Sequence, residues 1–144
     1  MAITQLFTPT LASCYFHLMH LPFISHRNCF SLSGFSHKVF LDHGNIGIVE
    51  SEKTALVLSL LCPDKVWLAT GGKQKFKEQM LMPLLGYEVE VYPDADALTD
   101  WYARAVEMNR TLGTRLHIPT WYYDLMNHDE ARRAGLDLAD VLLR

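Results

Sequence analysis

Several carboxylate residues fall where a metal site is favoured. Glu50 closes a short apolar run, Asp94 and Asp96 follow a second strand-like run, and Asp137 with Asp140 lies in the tail. Asp94 and Asp96 are two residues apart, so in extended chain both side chains point the same way and can face one ion. Carboxylate oxygens are hard ligands that suit Mg²⁺, which keeps several waters and takes phosphate oxygens from its substrate. These residue types predict a Mg²⁺ site.

Each carboxylate also has a purely structural explanation. Glu50 can be a solvated residue in the first turn of a helix, where negative charge favours the helix dipole. Asp94 and Asp96 can cap the helix that follows them. Asp137 and Asp140 can be a cap and its solvated partner. For any single carboxylate, the structural explanation is at least as good as metal binding. However, all of the carboxylates are predicted to lie at strand ends of one sheet, which favours a shared site.

Lysines that can contact phosphate lie near these carboxylates in the sequence. Lys53 comes just after the first carboxylate, and Lys73, Lys75 and Lys77 follow a pair of glycines. An alternating basic patch beside an acidic metal site can grip a phosphate backbone. A solvated helix face explains the three later lysines equally well. Lys53, Lys73 and Lys75 are the candidate phosphate-binding residues.

Alternating strand and helix signals predict how these residues are positioned. Apolar, β-branched runs predict strands at residues 46–49, 65–69, 88–92 and 114–118. A first helix is predicted to begin at a Ser51 cap and to end at Cys62-Pro63, and a second is predicted after the second strand and up to Leu85, where Pro83 bends or ends it. A third is predicted from residue 98 to Gly113. Shorter helices are predicted at residues 121–126, 129–134 and 137–143. This alternation predicts an α/β fold, a Rossmann-like, mainly parallel sheet with helices on both faces. The ligand site of such a sheet lies at the carboxyl ends of its strands.

The first part of the chain differs in composition from the rest. Residues 1–41 contain no Asp or Glu, and all sixteen acidic residues lie from Asp42 onward. We therefore predict an unassigned N-terminal appendage at residues 1–41 and one α/β domain at residues 42–144.

Two pairs in the appendage have the spacing of zinc ligands. Cys14-x-x-His17 and His26-x-x-Cys29 resemble the two halves of a tetrahedral site. The eight residues between them are fewer than in the usual finger patterns. Buried thiols and surface imidazoles explain the four residues better than zinc does.

Charge and cysteine content limit the partners and the compartment. The net charge of −3 gives no general attraction to nucleic acid, because non-specific binding depends on Lys and Arg neutralising phosphates. Any such contact must be local or bridged by metal. No run reaches the ~20 apolar residues needed to span a bilayer, so no membrane partner is expected. Three cysteines at no scaffold spacing favour reduced thiols and the cytoplasm.

Four segments, taken in order, resemble the Toprim fold shared by bacterial primases, topoisomerases, small ribosomal-RNA maturation nucleases and some repair proteins. Toprim domains carry a Glu at the end of the first strand, a small-residue turn after the second, an Asp-x-Asp after the third and a further Asp region near the end. The corresponding segments here are residues 49–55, 69–72, 93–96 and 135–140. The Glu-x-Glu-Lys-Thr-Ala string at residues 50–55 is most similar to Toprim segments of phage- and plasmid-type primases.

This resemblance implies roles for the candidate residues. Glu50 would be the general acid or base, Asp94 and Asp96 would hold Mg²⁺ or Mn²⁺, and Asp137 and Asp140 would complete the acidic cluster. It also implies DNA or RNA as substrate, primase-like nucleotidyl transfer in the replication of a mobile element, and a helicase or other replication protein as partner.

The chain departs from the primase pattern at two positions. Primases commonly place Gly directly after the first Glu and Asp four residues after it, whereas this chain has Ser51 and Thr54. Two other hypotheses remain: a small Toprim nuclease that uses the same carboxylates to cleave a strand, and a catalytically silent module that binds nucleic acid or a replication partner. An Asp-x-Asp-x-Thr phosphatase is set aside because position 98 is Leu.

Overall fold

A computed structural model describes residues 29–31 and 45–144 of the chain. Its strands are β1 (Cys29–Ser31), β2 (Ile46–Val49), β3 (Val66–Ala69), β4 (Glu88–Tyr92) and β5 (Arg115–His117). Its helices are α1 (Glu52–Leu61), α2 (Glu78–Leu81), α3 (Leu98–Leu112), α4 (Thr120–Met126), α5 (Asp129–Ala134) and α6 (Leu138–Leu142), with 3₁₀ turns at Lys73–Lys75, Met82–Leu84 and Ala95–Ala97. The five strands form one sheet in the order β1-β3-β2-β4-β5, and every pairing is parallel.

Helices cover both faces of this sheet. Side chains alternate between the two faces along each strand, so each strand contributes to two separate cores. One core packs the face containing Ile48, Leu68 and Val91 against α3. The other packs the face containing Val49 and Ala69 against α1 and the C-terminal helices. The predicted α/β, Rossmann-like sheet with helices on both faces is confirmed.

Local signals explain where the elements begin and end. Ser51 caps α1, since its side chain accepts a hydrogen bond from the backbone N–H of Thr54 at 3.1 Å. Gly113 ends α3 with φ of 68°, a left-handed conformation that glycine adopts without steric cost. Both boundaries were predicted. Among the described residues, no helix is both long and apolar enough to cross a membrane.

The helical stretch predicted after β3 and up to Leu85 is present only in short pieces, and its α-helix ends before Pro83 as predicted. The chain there forms a 3₁₀ turn, the four-residue α2 and a second 3₁₀ turn that contains Pro83. Side chains of α3 donate hydrogen bonds to two backbone carbonyls of this segment. Trp101 Nε1 donates to the Lys73 carbonyl at 3.1 Å, and Arg104 Nη1 donates to the Phe76 carbonyl at 3.2 Å. Hydrogen bonds from α3 therefore contribute to the shape of this segment.

The segment predicted as an appendage contributes a strand. β1 lies within residues 1–41 and pairs in parallel with β3, with Phe30 opposite Leu68. The predicted domain boundary at residues 41 and 42 stays a prediction. Of the zinc candidates, Cys14, His17 and His26 lie outside the described residues, and Cys29 is described only through its backbone.

Gly47 provides a test of the packing on the α1 face. A Cβ at Gly47 would lie 2.6 Å from Cζ3 of Trp67, and the Trp67 ring is fixed because its Nε1 donates to the Cys62 carbonyl at 3.1 Å. We expect Gly47→Ala to lower the free energy of unfolding by about 1–3 kcal/mol, as overpacking does. Denaturant titration measures this loss. In a Trp67→Leu background the loss should shrink, and an equal loss in both backgrounds would contradict the steric explanation.

Candidate metal centre

The carboxyl ends of β2, β3 and β4 meet at one edge of the sheet, and the predicted site lies there. Val49 pairs with both Ala69 and Tyr92, so the residues that follow these three leave the sheet side by side. Glu50 follows β2, and Asp94 follows β4 after one intervening residue. Parallel pairing thus brings together carboxylates that are far apart in the sequence.

Three carboxylates form a compact cluster. Glu50, Asp94 and Asp96 each present an oxygen, and these oxygens lie within 4.8 Å of one another. Glu50 and Asp94 are half-buried and Asp96 is exposed. Three hard oxygen donors at this separation can hold a divalent cation such as Mg²⁺. All three residues are among the predicted site residues.

The turn after β3 positions Glu50 through its backbone. The Glu50 carbonyl accepts hydrogen bonds from the N–H groups of Gly71 at 2.9 Å and Gly72 at 3.1 Å. The Thr70 hydroxyl donates to the same carbonyl at 3.3 Å. Gly71 has φ of 80°, where a side chain would be strained, and a Cβ there would lie 2.9 Å from Oε1 of Glu52. The predicted small-residue turn therefore folds over the end of β2 and is hydrogen-bonded to it.

Burial and mutual repulsion raise the proton affinity of the cluster. Burial is the largest cause of a pKa of about 7 for Asp94, and the neighbouring Glu50, Asp137 and Asp96 carboxylates raise it further. The pKa of Glu50 is raised as well, chiefly by burial, although Lys73 opposes the shift. Within the described chain, Oε2 of Glu50 is a buried atom with no hydrogen-bond partner. Lys73 and the raised pKa of Asp94 therefore offset the charge of the cluster, and among the described residues one oxygen of Glu50 has no hydrogen-bond partner.

Of the candidate phosphate-binding lysines, Lys73 contacts the cluster. Its ammonium group forms an ion pair with Oδ2 of Asp96, and that hydrogen bond is the main reason its pKa is raised. Lys53 is exposed in the first turn of α1, and Lys75 is exposed in the 3₁₀ turn that begins at Lys73. Because the 3₁₀ turn ends before Lys77, the three later lysines do not lie along one helix face.

Asp137 and Asp140 form a capping box at the start of α6. Asp137 Oδ1 accepts from the backbone N–H of Asp140 at 2.8 Å, and Asp140 Oδ2 accepts from that of Asp137 at 3.0 Å. The second oxygen of Asp137 accepts from the Thr54 hydroxyl at 2.7 Å. The structural explanation of this pair is therefore observed, and its role in metal binding stays a prediction.

The capping explanation of Asp94 and Asp96 is not observed. In the part of the chain that the structure describes, the 3₁₀ turn after Asp94 and helix α3 both begin without a side-chain cap. The two carboxylates are instead directed to the cluster and, for Asp96, to Lys73.

Three residues that the sequence does not identify support the site. Thr54 is buried and links α1 to Asp137. Tyr122 is buried and its hydroxyl donates to the Pro93 carbonyl at 2.6 Å, just before Asp94. Trp101 holds the backbone of Lys73. Such long-range hydrogen bonds leave no local pattern in a sequence.

One cavity among the described residues lies apart from the carboxylates. It has a volume of about 520 Å³ and is lined between α3, β5 and α4 by residues including Tyr102, Val106, Ile118 and Tyr123. This lining is largely apolar and contains no carboxylate among the described residues. This cavity is therefore separate from the carboxylate cluster.

Comparison with known families identifies one match. Residues 12–95 match the family described as Domain of unknown function (DUF6371). The chain belongs to the DUF6371 family. The match includes Glu50, Lys53, Lys73, Lys75 and Asp94 and ends one residue before Asp96. No curated protein and no solved structure matches this DUF6371 chain.

The raised pKa of Asp94 predicts a pH dependence of stability. Without metal, the folded state binds a proton between pH of about 4 and about 7 that the unfolded state has released, so stability falls as pH rises through this range. Relative to the wild type, Asp94→Asn should therefore gain stability between pH 5 and pH 8 in the presence of a chelator. Thermal unfolding of the two proteins measures this. Asp124→Asn, at an exposed position, is the control, and an Asp94→Asn difference that does not change with pH would contradict the assignment.

The Thr54 hydrogen bond predicts a difference between two conservative variants. Thr54→Val removes the donor to Asp137 inside the protein and should lower the free energy of unfolding by about 1–3 kcal/mol. Thr54→Ser retains the hydroxyl and should lose less. Denaturant midpoints compare the two, and a Thr54→Val protein as stable as the wild type would contradict the stabilising role of the hydrogen bond.

Proposed function

We propose that this DUF6371 chain is a metal-dependent, primase-like Toprim domain that carries out phosphoryl transfer on nucleic acid. The observation that carries the proposal is the cluster of Glu50, Asp94 and Asp96, whose oxygens lie within 4.8 Å of one another at the carboxyl ends of β2 and β4. This is the position at which open α/β sheets bind their ligands. The four segments that resemble Toprim motifs also follow one another along the chain in the Toprim order, which supports the proposal.

The residues of the cluster fit a divalent cation. Within residues 45–144, Oε2 of Glu50 is buried and has no hydrogen-bond partner, which is unfavourable for a carboxylate oxygen unless something else binds it. The neighbouring carboxylates repel one another, and a shared cation relieves that repulsion. Asp94 and Asp96 are the proposed ligands, with Glu50 beside them.

The chain's own residues support specific roles in phosphoryl transfer. A divalent cation bound here would stabilise the attacking and leaving oxygens of the reaction. Glu50 would hold or accept the proton of the attacking group, and its raised pKa brings it closer to the pH at which a general acid or base works. Lys73, at the edge of the cluster, would neutralise a substrate phosphate.

The proposed substrate is DNA or RNA, contacted locally. With a net charge of −3 the chain has no general attraction for a polyanion, so binding would depend on the metal and on Lys53, Lys73 and Lys75. As in the primases that the sequence resembles, the expected setting is replication of a mobile element in the cytoplasm, with a helicase or other replication protein as partner.

A small Toprim nuclease is the second candidate function. The observation that favours it is the same carboxylate cluster, because a cluster that stabilises both oxygens of a phosphodiester exchange can cleave a strand as well as extend one. Incorporation of nucleotides on a single-stranded template, compared with cleavage of a labelled strand, separates the two activities.

Calorimetric titration with Mg²⁺ and Mn²⁺ tests the proposal. The wild type should bind either ion, and the Asp94→Asn, Asp96→Asn double variant should lose most of that binding because two proposed ligands are removed. An Asp124→Asn, Asp129→Asn double variant removes the same charge from exposed positions elsewhere and should bind like the wild type. A folded wild type that binds neither ion would overturn the enzymatic proposal and favour the catalytically silent binding module.

A further inference from the structure

The carboxylate cluster already contains a cation from the chain itself. The ammonium group of Lys73 forms an ion pair with Asp96, and its charge also acts on Glu50 and Asp94. Lys73 therefore lies where a divalent cation bound by the same carboxylates would repel it.

The backbone of Lys73 is hydrogen-bonded to other parts of the fold, whereas its side chain is partly exposed. The Lys73 carbonyl accepts a hydrogen bond from the indole of Trp101 at 3.1 Å, and the turn just before Lys73 is hydrogen-bonded to the end of β2. The Lys73 side chain is 34% exposed and its partner Asp96 is 46% exposed, so the ammonium group can move into solvent without disturbing the core. A lysine has a flexible four-carbon stem that allows such a movement.

We propose that Lys73 occupies the cation position of the cluster in the metal-free protein, and that a divalent cation displaces its ammonium group, which then becomes available to a substrate phosphate. This inference rests on the proposed function. It gives Lys73 two successive partners, first the Asp96 carboxylate and then a phosphate oxygen that arrives beside the metal.

Electrostatics favours this exchange over simultaneous binding. A divalent cation and an ammonium group on the same carboxylate repel each other at short range. The divalent ion has twice the charge and can use oxygens from all three carboxylates, whereas Lys73 pairs with Asp96. A phosphate next to the metal restores a negative partner for the displaced lysine.

Titration of the protein with MnCl₂ or MgCl₂ alone tests the competition without any substrate. Lys73→Met removes the competing ammonium group, and we expect metal affinity to rise by about two- to fivefold, the range that corresponds to a partly exposed ion pair. Lys77→Met is the matched control: it removes the same charge from an exposed residue of the same segment and should change affinity little. Circular dichroism checks that both variants are folded.

The outcomes separate this inference from the proposed function. Binding by the wild type that becomes tighter in Lys73→Met, and not in Lys77→Met, supports displacement. Binding that is seen only after Lys73 is replaced overturns it, because the cation then fails to displace the ammonium group. Metal binding by the wild type that Lys73→Met leaves unchanged or weakens overturns the displacement and leaves the metal site standing. An equal gain in both variants also overturns it, since net charge alone would explain the effect. Folded wild type and Lys73→Met proteins that both fail to bind overturn the inference and the proposed function together.

Discussion

Repulsion among carboxylates that the fold holds close together is the constraint on which this structure depends. The pairing of Val49 with Tyr92 brings the chain that follows β2 next to the chain that follows β4, and Glu50, Asp94 and Asp96 converge as a result. Burial of Glu50 and Asp94 strengthens the repulsion because less water is present to screen it. A cluster of this kind is stable only if protons or cations compensate its charge. In the chain alone, Lys73 and the raised pKa of Asp94 provide that compensation.

Parts of the chain remote in sequence hold the cluster in place. The turn after β3 binds the Glu50 carbonyl, and the hydroxyl of Tyr122 binds the carbonyl of Pro93. The N–H of Ala95 donates to the Leu136 carbonyl at 2.9 Å, and Asp137 accepts from Thr54. The C-terminal helices therefore do more than cover the sheet: they fix the segments that carry the carboxylates. A site held by rigid hydrogen bonds keeps its geometry when charges change.

The sequence predicted the elements whose signals are local. β2 and β4 begin and end at the predicted residues, and Ser51 and Gly113 bound their helices as expected, because apolar runs, caps and a left-handed glycine act within a few residues. The clustering of Glu50 with Asp94 followed from the parallel arrangement itself. The helical stretch predicted after β3 is broken into two 3₁₀ turns and α2, and Trp101 and Arg104 donate to its carbonyl groups from another part of the chain. Sequence alone could not show the second partner of Asp137, because that partner is a buried hydroxyl 83 residues away.

The most direct test of the metal centre is an anomalous diffraction experiment on crystals grown with Mn²⁺. The account predicts a manganese peak between the carboxylates of Glu50, Asp94 and Asp96, with the Lys73 ammonium group no longer in contact with Asp96. A fully ordered cluster with no peak, and with Lys73 still paired to Asp96 at saturating Mn²⁺, would contradict it.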